Sequence, residues 1–128
     1  DPLELLAKVR AMFFPEGRSL GQRTIPVISQ AADAQYSKFR ENLRWSMGGV
    51  TFVTIHIVGS NDNFGRTPEM DVEHRERKAA NVAWLRKAFG EAKANSSRGL
   101  ALLIQANPLF ANHWPAGAKR QYLGQNGR

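Results

Sequence analysis

Two apolar runs organise the polarity of the chain. Val50-Thr51-Phe52-Val53-Thr54-Ile55-His56-Ile57-Val58 follows a Gly48-Gly49 pair and runs into Gly59-Ser60-Asn61-Asp62-Asn63. Leu100-Ala101-Leu102-Leu103-Ile104 follows Gly99 and ends in Gln105-Ala106-Asn107-Pro108. Short apolar runs bounded by turn residues predict strands at about 50–58 and 100–105. In the first run, Val50, Phe52, Thr54, His56 and Val58 fall on one face and Thr51, Val53, Ile55 and Ile57 on the other. Both faces are largely apolar, which predicts a strand covered on both sides. Between the runs, Thr67-Pro68-Glu69 is a helix start: a capping hydroxyl, a proline at the first helical position and an acid at the positive end of the dipole. The helix should reach about residue 93, with Val82, Leu85 and Phe89 sharing a face and Ala79 behind them. Strand, helix and strand in this order predict a βαβ unit whose second strand is parallel to the first and central.

The flanks are weaker. Leu3, Leu6, Val9 and Arg10 fall near one side of a helix over 3–13, which Pro15 and Gly17 end. Residues 21–28 are extended and interrupted by Pro26, as an edge strand or loop. Residues 31–42 carry a faint helical pattern. Arg44-Trp45-Ser46-Met47 before Gly48-Gly49 reads as a short strand turning through a hairpin into the main one. Residues 112–117 read as a loop, and 118–128 as a polar tail.

At 128 residues with 42% hydrophobic content, the chain suits a single domain with a core of its own. No apolar run reaches the length of a membrane span, and no signal peptide is visible. The absence of cysteine removes disulfides, zinc–thiolate sites and thiol nucleophiles, and leaves cytoplasmic and exported locations both open. The net charge of +7 favours anionic partners. The basic residues are scattered, however, and Arg75, Arg77 and Lys78 alternate with Glu73 and Glu76 as on a solvated helix face.

No phosphate-cradling glycine loop, GxSxG or HExxH pattern occurs. His56 lies three residues before Gly59. It is placed to act as a metal ligand or general base near a strand's carboxyl end, or to be a fixed core histidine. Asn61, Asp62 and Asn63 can offer oxygens to a cation or phosphate, or serve as turn residues. Gln105 and Asn107 follow the second strand and can orient a ligand in the same cleft. His74 reads as an exposed helix residue. His113 and Trp114 fit either a pocket lining or a packed loop.

Three segments together carry a family likeness. They are Gly49-Val50-Thr51-Phe52-Val53-Thr54-Ile55, Asn81-Val82-Ala83-Trp84-Leu85 and Leu102-Leu103-Ile104-Gln105-Ala106-Asn107-Pro108-Leu109-Phe110. In this order they resemble the middle of calcineurin-like metallophosphoesterases, where a "G-v-x-F-i-x-L" strand precedes a "Q-x-x-W-L" helix and a strand ending in "H-x-P". The likeness spans about residues 1–112 and is nearest to a bacterial branch of that family. It implies an α/β/β/α sandwich, of which this chain forms a part, and a site with two divalent metal ions that hydrolyses phosphate esters. The family's D-x-H, G-D-x-x-D, G-N-H and G-H-x-H blocks do not occur, and Ala106 stands where the "H-x-P" ligand is expected. The resemblance therefore implies either an incomplete piece of a phosphoesterase domain or a branch that has lost or rebuilt part of the site, with Gln105, Asn107 or His56 substituting; in both cases this chain alone would be inactive. His56, Asn61, Asn63, Gln105 and Asn107 would form its cleft wall, with His56 the one candidate metal ligand. Unpaired sheet edges would favour self-association or pairing with the missing segments. The alternatives are a non-catalytic α/β module for an anionic ligand or nucleic acid, and an assembly domain.

Overall fold

A computed structural model describes residues 1–106. Asn107, His113, Trp114 and the tail read at 118–128 lie outside the described residues. The fold is α/β: helices pack with a four-stranded mixed sheet in the order β1-β2-β3-β4. The strands are β1 (Ile28–Ser29), β2 (Leu43–Met47), β3 (Val50–Thr54) and β4 (Gly99–Leu103). β2 and β3 form the expected hairpin, with Trp45 opposite Phe52 and the two rings stacked 5.4 Å apart. Gly48 and Gly49 both have positive φ, 58° and 76°. A two-residue turn between right-twisted strands demands this of both positions.

β3 and β4 are parallel, in register from Val50–Gly99 to Thr54–Leu103. The short helix α2 (Gly59–Asp62) follows β3, and helix α3 (Pro68–Ala94) then joins the two strands and completes the βαβ unit. Its start is as the sequence reads: Thr67 Oγ1 accepts from Met70 N, Pro68 follows, and Glu69 and Asp71 fill the first turn. Helix α1 (Pro2–Phe13) is capped by Asp1, whose carboxylate accepts from Leu3 N. In place of a helix over 31–42 there are two 3-10 turns, Gln30–Ala32 and Ala34–Tyr36. Ser29 and Asp33 cap them through their side chains.

Other sequence readings change as well, the solvated face read at Arg77 among them. First, β4 lies at the edge of the sheet among the described residues, not at its centre. Second, β3 stops at Thr54 rather than 58, for a reason given below. Third, α3 does not bury Val82 and Phe89, which are 42% and 60% exposed. It buries Arg77, Ala80, Asn81, Trp84, Ala88 and Ala92, the face next to the one expected. The apolar core is small: Val53, Ile55, Trp84 and Ala88, with Ile57, Leu85, Leu100 and Ile104 packed around them. Much of the remaining interior is polar.

Candidate functional site at the carboxyl end of the parallel strands

Beyond Thr54, Ile55 N still donates to Leu103 O of β4, and side chains then replace the ladder. Asn42, wholly buried, accepts from His56 N through Oδ1 at 3.0 Å. Its Nδ2 donates to Gln30 Oε1 (2.7 Å) and Asn81 Oδ1 (2.9 Å). Asn81 Nδ2 donates to His56 O at 2.8 Å, and Gln30 Nε2 to Ala80 O at 2.8 Å. A chain of amides thus takes up the backbone donor and acceptor of His56 that a neighbouring strand would otherwise hold. This satisfies the apolar stretch after β3 without extending the sheet.

Arg77 completes the lock from α3. Its side chain is 1% exposed and donates to His56 O, Asp62 O, the Asp62 carboxylate and the Glu73 carboxylate. Burial by itself would lower the pKa of this guanidinium. The hydrogen bonds and charges of Glu73 and Asp62 outweigh that and raise it, so Arg77 is a permanent internal cation. Asp62 also accepts from Val58 N and pairs with His74.

The segment Asn61-Asp62-Asn63 turns with φ of 60°, 54° and 64°. Asn and Asp visit this left-handed region more readily than other side-chain-bearing residues. Asn61 Nδ2 donates to Phe64 O. The side chains of Asn61 and Asp62 serve the turn and its attachment to α3. Asn61 and Asn63 do not line the cavity described next.

His56 itself faces a second cluster. Its Nδ1 lies 2.9 Å from Glu41 Oε1. Glu41, in turn, accepts both bonds of a two-pronged approach by Arg10 from α1: Nε at 3.0 and 2.9 Å, and Nη2 at 2.5 Å. Arg10 also stands over the Phe39 ring at 5.2 Å. Burial pushes the Glu41 carboxyl up, but the hydrogen bonds from His56 and Arg10 and the Arg10 charge overcome this and hold it below its ordinary value. An ionised carboxylate only accepts. In its neutral form His56 therefore carries its proton on Nδ1, and Nε2 then presents a lone pair. Nε2 has no protein partner among the described residues.

His56, Glu41 and Arg10 line one side of a cavity of about 400 Å³. Its other walls come from α1 (Leu6, Val9), Phe14, and the strand ends Leu43, Thr54, Ile55, Leu103, Ile104 and Gln105. Of the five site residues read from sequence, the fold brings His56 and Gln105 to this cavity. Glu41 and Arg10 escaped the sequence reading. Their only signal is a charged residue on the apolar side of α1 and an acid directly before Asn42.

The described residues do not fit a divalent metal site. No three of their His, Asp or Glu side chains converge to hold one. Glu41, Asp62 and Glu73 each lie against a buried guanidinium, whose charge opposes a cation. The positive charge is likewise partly internal: Arg10, Arg44 and Arg77 are buried in pairs with Glu41, Glu91 and Glu73. Each of these arginines is matched by at least one acid, so they do not account for the net charge of +7. No described helix is long and apolar enough to cross a membrane. No family model, curated protein or solved structure matches the chain.

Proposed function

We propose that this chain is part of a phosphate-ester hydrolase of the calcineurin-like, metal-dependent kind, and that it supplies one wall of the active cleft. The observation that carries the reading is the parallel β3–α3–β4 unit, whose two strands end on one cavity lined by His56 and Gln105. Open α/β sheets place their ligands at the carboxyl ends of parallel strands. The likeness of β3, α3 and β4 to the middle of that family adds the reaction class. In this reading the two metal ions take their ligands from outside residues 1–106, and the described residues shape and polarise the cleft. His56, oriented through Nδ1 by Glu41, would exchange a proton at the ester oxygen through Nε2, with Gln105 beside it. An oriented imidazole contributes about a hundredfold or more as a general acid or base.

The test is phosphate release from a panel of monoesters and diesters by the intact gene product with manganese. Turnover is expected, and His56→Gln should lower kcat by about a hundredfold while circular dichroism stays unchanged. No turnover on any ester, with no metal retained after dialysis, would refute the proposal.

A further inference from the structure

We infer that the cavity between α1 and the ends of β3 and β4 is a binding site for a small neutral alcohol or phenol, its hydroxyl donated to His56 Nε2 and its apolar body held by α1 and the strand ends. This names the alcohol half of the ester and rests on the hydrolase reading for its catalytic meaning only. The binding site itself stands on geometry.

Three features select this ligand class. The walls are aliphatic and aromatic, from Leu6, Val9, Phe14, Leu43, Leu103 and Ile104, so the body of the ligand must be apolar. A volume of about 400 Å³ lies within the range that holds small molecules. The polar end offers an acceptor. The Glu41 carboxylate takes the Nδ1 proton of His56 and two donors of Arg10, so the unclaimed ring atom is a lone pair that requires an O–H or N–H. Charge decides between candidate donors. Arg10 and Glu41 already neutralise one another, so an ammonium or a carboxylate would enter an apolar cavity without a counter-charge. A neutral hydroxyl adds none. The device also runs in reverse: when His56 holds a second proton, Nε2 can return it to an alkoxide leaving on the same path, which is how an ester's alcohol would be released here.

Rigidity supports the assignment. The imidazole is held through its own backbone by Asn42, Asn81 and Arg77 and through Nδ1 by Glu41, so little freedom is lost on binding. The hydroxyl acceptor is placed before the ligand arrives.

The test compares 4-propylphenol with its methyl ether, 4-propylanisole, on the full 128-residue chain, by calorimetry and by ¹⁵N spectra of the imidazole. The phenol should bind about tenfold more tightly than the ether, since a site built around a hydroxyl rejects the analogue that lacks it. The Nε2 resonance of His56 should move with the phenol and not with the ether. In His56→Phe the preference should fall below about twofold. The wild-type comparison needs no variant, so misfolding of His56→Phe would not rescue the idea. Equal affinities, or no binding of either compound, would overturn it. So would NOEs from residues 107–128 to the methyls of Leu6 and Leu43 in the free chain, because the cavity would then be filled by the chain itself. Phenol binding by a chain whose intact gene product hydrolyses no ester would sink the hydrolase reading and leave this site standing.

Discussion

Asn42 is the side chain whose loss should propagate furthest. It is wholly buried and makes three hydrogen bonds: to Gln30, to Asn81 and from the backbone of His56. Asn42→Ala would strand Gln30 Oε1, Asn81 Oδ1 and His56 N. A buried unsatisfied group costs about 1–3 kcal/mol. A water entering the space vacated by the amide would recover part of this, so the net loss should be about 3 kcal/mol. With a urea m value near 1.5 kcal/mol/M, the unfolding midpoint should fall by about 2 M. Trp84, which donates to Leu43 O close by, is a fluorescent reporter of the transition.

Asn42→Asp sharpens the test because it keeps the shape and changes only the chemistry. The carboxylate would replace Nδ2 with an acceptor facing two acceptors, Gln30 Oε1 and Asn81 Oδ1. Flipping those amides does not help. Gln30 would then turn an oxygen toward Ala80 O, and Asn81 would turn one toward His56 O. The aspartate variant should therefore be less stable than the alanine one at neutral pH and recover as the pH falls and the buried acid takes a proton. An alanine variant within 1 kcal/mol of wild type, or an aspartate variant indifferent to pH, would refute the view that this amide chain holds the end of β3.

Three further outcomes are expected. Arg77→Met should destabilise by about 3 kcal/mol or more in chemical denaturation, because it leaves Asp62 and Glu73 facing one another without their shared cation. Glu41 has a folded pKa below its ordinary value of 4.5, so its contribution is whole above that value and drains away as the pH falls through the lowered one. The stability gap between wild type and Glu41→Gln should accordingly close on the acid side, as the pH falls below 4.5, which pH-dependent urea titrations would show. Phe89→Lys, at a site 60% exposed, should change stability by no more than about 0.5 kcal/mol, whereas Trp84→Ala should cost about 3–5 kcal/mol. The reverse order in thermal melts would restore the helix face that the sequence pattern favours.

The legible parts of the fold are those where one local rule decides. Thr67-Pro68 starts α3, Gly48-Gly49 turns the hairpin, and Gly99 opens β4, as the residues require. The helix face was misread for a physical reason. Periodicity weighs residues by apolarity, and on α3 the most apolar stripe is Val82, Leu85 and Phe89. The fold instead buries alanines, which let the helix approach the sheet closely, together with Trp84 and the polar Arg77 and Asn81. Polar groups in a core normally find partners. Those partners, Asn42, Asp62 and the His56 backbone, lie between 15 and 39 residues away in sequence. No window along the chain can see them.

The same blindness explains the site. His56 is visible because it interrupts an apolar run near a glycine, but nothing next to it in sequence says whether it is inert or poised. That depends on Glu41 and Arg10, which reach it from 15 residues upstream of itself and 31 residues upstream of Glu41. Their arrangement argues against a histidine that only fills space. A space-filling histidine needs one hydrogen bond to its ring and no more. Here the backbone is held on both sides by side chains, the ring proton is taken by a carboxylate, and that carboxylate is neutralised by a guanidinium. Among the described residues the ring nitrogen left without a partner is Nε2, on a histidine that lines the cavity. Burying a carboxylate and a guanidinium is unfavourable unless they are paired, and a hydrophobic pair of the same size would often stabilise the fold as well or better. What the charged pair does and an apolar pair cannot do is fix the tautomer of His56. In the proposed hydrolase reading, that is the physical ground for placing a proton-exchanging group at the end of β3.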